Sequence, residues 1–359
     1  MLFEPFSARS LQLKNRTVMA PMTRNRAVEA NTPNALMAEY YGQRATAGLI
    51  VTEGTSPSPN GLGYPRIPGM FNDAQVRGWK AVTDAVHAKS GKIFMQFMHT
   101  GRVTNLANLP AGAAVVGPMA EACPGEIYTD TKGLQPHSLP RAMTEADIAL
   151  AVGEYAQAAK RAIEAGFDGV ELHAANGYLI EQFLNANVNR RSDGYGGSIA
   201  GRNRFVLEVA RATVAAIGAD RVGIRLSPYG VFNSTGAFPE LEAQYLALVQ
   251  ELSALGLVYL HVLDHSAMGA PPVPAEFKAK LRASFKGAFI LAGGFDRDSA
   301  ESALAAKSAD LIAFGRPFLA NPDLVERMRA GAALNAPDMA TFYTPGTKGY
   351  TDYPRLTPK

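Results

Sequence analysis

Short apolar runs alternate with longer stretches of helical period along the whole chain. The runs lie at Thr17–Pro21, Gly48–Glu53, Lys92–Met98, Gly169–His173, Val222–Ser227, Val258–Leu263, Ala288–Ala292 and Asp310–Phe314. Each has the length and composition of a strand in a parallel sheet covered by helices. Apolar positions at helical spacing fill the gaps at Asn34–Ala47, Asp73–Ser90, Glu145–Ala165, Arg202–Ile217, Leu241–Leu255, Ala275–Phe285, Ser299–Lys307 and Pro322–Ala330. Thr144-Glu-Ala-Asp147 is a start signal for one helix, and Gly166 and Gly256 are stop signals for two others. Eight strand–helix units predict an α/β chain closed into one (β/α)8 TIM barrel rather than an open sheet.

No Pro/Ser-rich linker divides the chain, so residues 1–359 are expected to form a single domain. Leu2–Leu13 is expected to be a hairpin closing the barrel bottom. The longest segment without helical period, about residues 100–143, follows the third strand. Loops of that length in compact domains are commonly lids or binding elements, and a lid-like insertion is expected here.

Composition narrows the class. A hydrophobic fraction of 47% with 19% charged residues fits a soluble globular protein with a large core. A net charge of +3, with no basic run interleaved with aromatics, gives no support for nucleic-acid binding. The single cysteine, Cys123, can build neither an internal disulfide nor a four-thiolate cluster, and reads as a bystander thiol. The N-terminus has no signal-peptide pattern and no apolar run reaches membrane-spanning length, so a cytoplasmic protein with no membrane partner is expected.

Chemistry in this fold gathers at the C-terminal ends of the strands. Those ends read Pro21-Met22-Thr23-Arg24, Glu53-Gly54-Thr55, Gln96-Phe97-Met98-His99, His173, Arg225, Gly293-Gly294 and Gly315-Arg316. No lysine is among them, since Lys92 opens its strand, and this argues against Schiff-base chemistry. The histidines lack matching carboxylates, so no metal site is expected. Glu53 is the one fair candidate for a general base. AGGF (Ala292–Phe295) and FGRP (Phe314–Pro317) are glycine turns after strands seven and eight, where bare N–H groups and Arg316 can meet a phosphate. Past strand four, His173, Asn176 and Tyr178 form a trio able to polarise a carbonyl and deliver a proton. The pattern describes a phosphate-anchored ligand over a mouth lined by neutral donors, which suits an organic cofactor. A flavin mononucleotide, pyridoxal phosphate or a phosphorylated substrate each remains open on these residues alone, although the missing lysine counts against pyridoxal phosphate.

Seven motifs add a family to this. They are APMTRNRA (Ala20–Ala27), QFMHTGR (Gln96–Arg102), ELHAANGYLIEQFL (Glu171–Leu184), NRRSDGYGGS (Asn189–Ser198), GIRLSP (Gly223–Pro228), FGRPFLANPDL (Phe314–Leu324) and GYTDYP (Gly349–Pro354). Through them the chain resembles the Old Yellow Enzyme family of FMN-dependent ene-reductases over essentially its whole length. The resemblance implies FMN bound non-covalently, with NADPH or NADH as reductant. Ala20, Pro21, Met22, Thr23 and Gly54 would lie by the isoalloxazine, Thr23 tuning its reduction. Gln96 and Arg225 would bind the pyrimidine edge and ribityl chain, and Gly293, Gly294, Gly315 and Arg316 the phosphate. His173 and Asn176 would grip the substrate oxygen, Tyr178 would donate the proton, and Tyr64, Met98 and Tyr343 would line the substrate pocket.

The implied reaction is reduction of electron-poor alkenes (enones, enals, maleimides, nitroalkenes) by hydride at the β-carbon and a Tyr178 proton at the α-carbon. Asn176 stands where many relatives carry histidine, and Met98 where tryptophan is common. Thr23, in place of the cysteine of another branch, and GYTDYP indicate the branch. The expected partners are small-molecule alkenes and NAD(P)H, and the expected assembly is a monomer or homodimer. Arg102 and Arg141 are candidates to meet a nicotinamide 2′-phosphate.

Overall fold

The computed structural model describes residues 1–356, so the last three residues of the expected domain lie outside it. All eight expected strands form: β1 (Thr17–Met19), β2 (Leu49–Val51), β3 (Ile93–Phe97), β4 (Gly169–Ala174), β5 (Val222–Leu226), β6 (Tyr259–Leu263), β7 (Ala288–Ala292) and β8 (Leu311–Phe314). Neighbours pair in parallel, and β8 returns to β1 to close the barrel. The expected helices lie between them. Two short ones, Leu179–Leu184 and Arg316–Ala320, are additional. Neither is long enough to establish a helical period in sequence.

The continuous apolar runs conceal an alternation. Met19, Ile50, Met95, Phe97, Leu172, Ile224 and Val262 belong to the large cluster against the helices. Val18, Leu49, Phe94, Tyr259, Ile290 and Leu311 belong to a separate cluster inside the barrel. Successive side chains of one strand take opposite faces, so both faces are filled from one run. The expected hairpin pairs Phe6–Ala8 with Leu11–Leu13, and Leu11 and Leu13 join the interior cluster.

On the β3–β6 side the interior becomes polar toward the C-terminal ends. Gln96 pairs with Glu171, while His173, Arg225 and His261 lie in one register row. The β5 position below Arg225 is Gly223, and the Tyr259 ring occupies the space a side chain there would take.

The 100–143 insertion contains the pair Val116–Gly117 with Arg141–Ala142 and a hairpin, Glu126–Thr129 with Gly133–Pro136. Cys123 is buried in it, 3.6 Å from Asn233 O. Among the described residues no helix is long and apolar enough to cross a membrane.

A Cβ at Gly223 would stand 2.2 Å from the Tyr259 ring, which is fully buried and cannot swing aside. Gly223→Ala should therefore lower stability by about 1–3 kcal/mol, read as a lower urea midpoint at unchanged slope.

Candidate active site

A cavity of about 700 Å³ opens at the C-terminal ends of the strands, a size suited to a cofactor or drug-sized ligand. Ala20, Pro21, Met22 and Thr23 enter it from the end of β1, and Gln96 and Met98 from β3. His173, Asn176 and Tyr178 enter from β4, and Arg225 from β5. Gly293, Gly294, Gly315 and Arg316 come from the turns after β7 and β8, and Tyr64 and Tyr343 complete the rim. Gly54 is the exception among the expected residues and does not line the cavity. Met98 lies over it, its Sδ at 2.6 Å from where a Cβ would be, so the glycine makes room for Met98.

The insertion supplies no lining residue. It braces the cavity wall from outside instead, with Arg102 Nη2 donating to Asn233 O at 3.2 Å. Arg141 is engaged with Asp147 through Nη1 and Nη2 at 2.5 and 2.9 Å. The lining also contains Phe232 and Asn233 after β5, Asp264, His265 and Met268 after β6, and Phe342. The end of β6 carried the available signal, Leu263-Asp264-His265, which belongs with the other strand ends.

A carboxylate lies beneath the site. Glu171 is fully buried, accepts from Gln96 Nε2 at 2.8 Å, and meets His261 Nδ1 at 2.9 Å. Burial alone would raise its pKa, but His261, Arg225 and Gln96 outweigh burial and hold it below the usual range. An ionised carboxylate only accepts hydrogen bonds, so the Gln96 amide is oriented with its NH₂ inward. Arg225 is 6% exposed, and its Nε has no partner among the described residues. Burial pulls its pKa down, and Glu171 is the largest influence pushing it back up.

Burial, with Arg225 close by, drives the His173 pKa well below its ordinary value, so the imidazole is neutral. Its Nδ1 and the Asn176 Oδ1 are buried without partners among the described residues. The His173 and Tyr178 rings meet edge-on at 5.0 Å, and the Tyr64 and Tyr178 hydroxyls are 3.1 Å apart. Burial pushes the Tyr178 pKa up to about 12, so it carries its proton at neutral pH. The turn after β7 has Gly293 and Gly294 at φ +128 and +70, conformations that glycine, with no Cβ, adopts where other residues would be strained.

Glu53, the candidate base, is 1% exposed and is not among the cavity-lining residues. It accepts the Arg24 N–H at 3.1 Å and the Tyr41 hydroxyl at 3.3 Å. Lys92 sits at the start of β3, 2.7 Å from Asp168, away from the mouth.

A model of the NADH:flavin oxidoreductase / NADH oxidase family matches residues 1–335. The chain is 41% identical to the Leishmania infantum protein named "Probable flavin mononucleotide-dependent alkene reductase", over 99% of this chain and 97% of that one. It superposes on morphinone reductase in complex with tetrahydroNAD with a TM-score of 0.94 at 46% identity, covering 99% of this chain and 98% of that one. On the old yellow enzyme homologue from Zymomonas mobilis the TM-score is 0.94 at 39% identity, covering 99% of each chain.

Burial raises the Glu53 pKa from 4.5 to about 7. A carboxyl raised on folding favours the folded state most below its unfolded pKa and loses that contribution as pH rises to the folded one. Buried His99 and His265, lowered to about 3 and about 4 by burial, act in the opposite sense. The difference between wild type and Glu53→Gln isolates the carboxyl. In denaturation series, wild type should lose stability relative to Glu53→Gln between pH 4.5 and pH 7.

Proposed function

This chain belongs to the NADH:flavin oxidoreductase / NADH oxidase family, and we propose that it is an ene-reductase for electron-poor C=C bonds in small enones, enals, maleimides and nitroalkenes. Membership makes it a flavin-dependent oxidoreductase holding FMN non-covalently, with NAD(P)H as reductant. The observation that carries the finer reading is one cavity lined by His173, Asn176 and Tyr178 together with Gln96, Arg225 and the glycine turns.

The residues present fit FMN. Arg225 Nε is buried with no partner among the described residues, and a side chain at Gly294 would strike Ala267 at 2.8 Å. Gln96 and Arg225 would hold the pyrimidine edge and ribityl chain, with Gly293, Gly294, Gly315 and Arg316 at the phosphate. Ala20, Pro21, Met22 and Thr23 would flank the isoalloxazine. When bound, FMN supplies the hydride chemistry, taking hydride from reduced nicotinamide and giving it to the alkene β-carbon.

The chain's own residues control charge and proton. His173 and Asn176 grip the substrate's carbonyl or nitro oxygen, where negative charge develops. Preorganised donors of this kind are typically worth about 3–4 kcal/mol each. His173 acts as a neutral donor, because burial and Arg225 exclude its protonated form. Tyr178 keeps its proton until the α-carbon takes it. The Tyr64 hydroxyl, 3.1 Å away, is placed to donate to the oxygen left behind. General-acid catalysis by Tyr178 accounts for about 10²–10⁴-fold in rate. Tyr64, Met98 and Tyr343 shape the pocket wall, and the flexible Met98 gives it an adaptable surface.

The purified protein should be yellow, bleach anaerobically with NAD(P)H and regain colour on adding cyclohexenone. A colourless protein that FMN cannot reconstitute would contradict this. Tyr178→Phe should retain FMN and its reduction by NAD(P)H, yet lose about 10²-fold or more in cyclohexenone turnover. Nitroalkenes should lose less, since their carbanion can wait for a solvent proton. Equal turnover by wild type and Tyr178→Phe would remove Tyr178 from this role.

A further inference from the structure

Beneath the turn that carries Asn176 and Tyr178 lies a carboxylate with no task in the reaction as described. Glu181, in the short helix Leu179–Leu184, is 1% exposed. Its Oε2 accepts the Gly177 N–H at 2.6 Å, and the Ser227 hydroxyl lies 3.1 and 3.2 Å from its two oxygens. The Tyr245 hydroxyl donates to Oε1 at 3.1 Å. Ser227 Oγ in turn accepts the Asn176 N–H at 2.9 Å. Two consecutive amides of the turn therefore end on one carboxylate, one directly and one through a hydroxyl.

The turn needs such a hold. Asn176 and Gly177 have φ of +60 and +74, and two left-handed residues in succession are not a conformation the chain keeps without outside hydrogen bonds. The turn's carbonyls are held separately, Asn176 O by Asn233 Nδ2 at 2.7 Å and Gly177 O by Gln182 Nε2 at 2.8 Å. The N–H side depends on Glu181 and Ser227. Three donors converge on Glu181, and only a carboxylate offers acceptors to all of them at once. The titratable group packed against it is the Tyr245 phenol, from the helix Leu241–Ala254.

We infer that Glu181, with Ser227 as its relay, is a positioning residue that fixes the Asn176–Gly177–Tyr178 turn and so sets where the oxygen-binding amide and the proton donor stand. This rests on the roles proposed above for Asn176 and Tyr178. Glu181 itself touches no reacting atom.

The test uses FMN-loaded protein. Glu181→Leu removes every acceptor. Glu181→Gln keeps one oxygen for Gly177 and Ser227 and lets the Tyr245 hydroxyl turn to accept. Ser227→Ala removes only the relay and serves if Glu181→Leu does not fold. Hydrogen exchange in the peptide spanning 174–184 should quicken at least about tenfold in Glu181→Leu and Ser227→Ala, the effect of an uncompensated buried donor, and stay near wild type in Glu181→Gln. Cyclohexenone turnover should fall at least about tenfold in Glu181→Leu, and by clearly less when the same change is made in Tyr178→Phe. Unchanged exchange in Ser227→Ala and any folded Glu181→Leu overturns the clamp. Losses that multiply independently with Tyr178→Phe overturn its link to the proton donor. Should Tyr178→Phe alone have no effect on cyclohexenone, the proposed proton donor fails, and the exchange result still decides the clamp.

Discussion

The upper barrel depends on one buried charge balance, Glu171 against Arg225. An arginine inside a barrel mouth is costly unless a negative charge compensates it, and so is a carboxylate buried alone. Glu171 stands one row below Arg225 on the neighbouring strand. It faces Gln96 and His261, and the three groups together keep it ionised. Arg225 can then turn its unpartnered Nε toward a ligand. The same carboxylate fixes the Gln96 amide, so a group that never enters the cavity decides which hydrogen-bonding face the cavity offers.

Three buried glutamates show how surroundings divide one residue type. Glu171, beside Arg225 and His261, is pulled below the usual range. Glu181 is pushed up to about 7 by burial, with neutral donors from Gly177, Ser227 and Tyr245 only partly opposing it. Glu53 is also raised to about 7, because its burial exceeds what Arg24 and Tyr41 return. None of the three lines the cavity. Each organises groups that line it or adjoin those that do: Gln96 and Arg225, the Asn176 turn, and the Arg24 backbone beside Thr23.

Much of this was legible in sequence. Strand positions follow from apolar runs because burial on both faces leaves no room for polar interruption. Many of the cavity-lining residues follow from the ends of those runs, since the fold places such ends on one rim. Gly54 failed that rule because a residue at a strand end can still be covered, here by Met98. Phe232 and Asn233 were invisible for another reason. They stand several residues past β5, Asn233 tied to Asn176 and Arg102 and Phe232 set against the His265 ring, contacts that no local pattern encodes. The insertion's position outside the cavity is likewise a tertiary fact.

The site's titration state limits what it can do unaided. His173 is held neutral, Tyr178 holds its proton, and the one permanent charge from a strand interior, Arg225, is balanced from below. Such a set can stabilise a developing oxyanion and release one proton, but it contains no strong base and no nucleophile. It therefore suits a reaction in which negative charge arrives from elsewhere and must be received. A hydride supplied by a bound cofactor is that kind of charge. In the role proposed for it, the neutrality of His173 matters: a cationic imidazole would hold a substrate oxygen tightly before reaction, whereas a neutral donor strengthens its bond as charge appears, which is where binding energy raises rate.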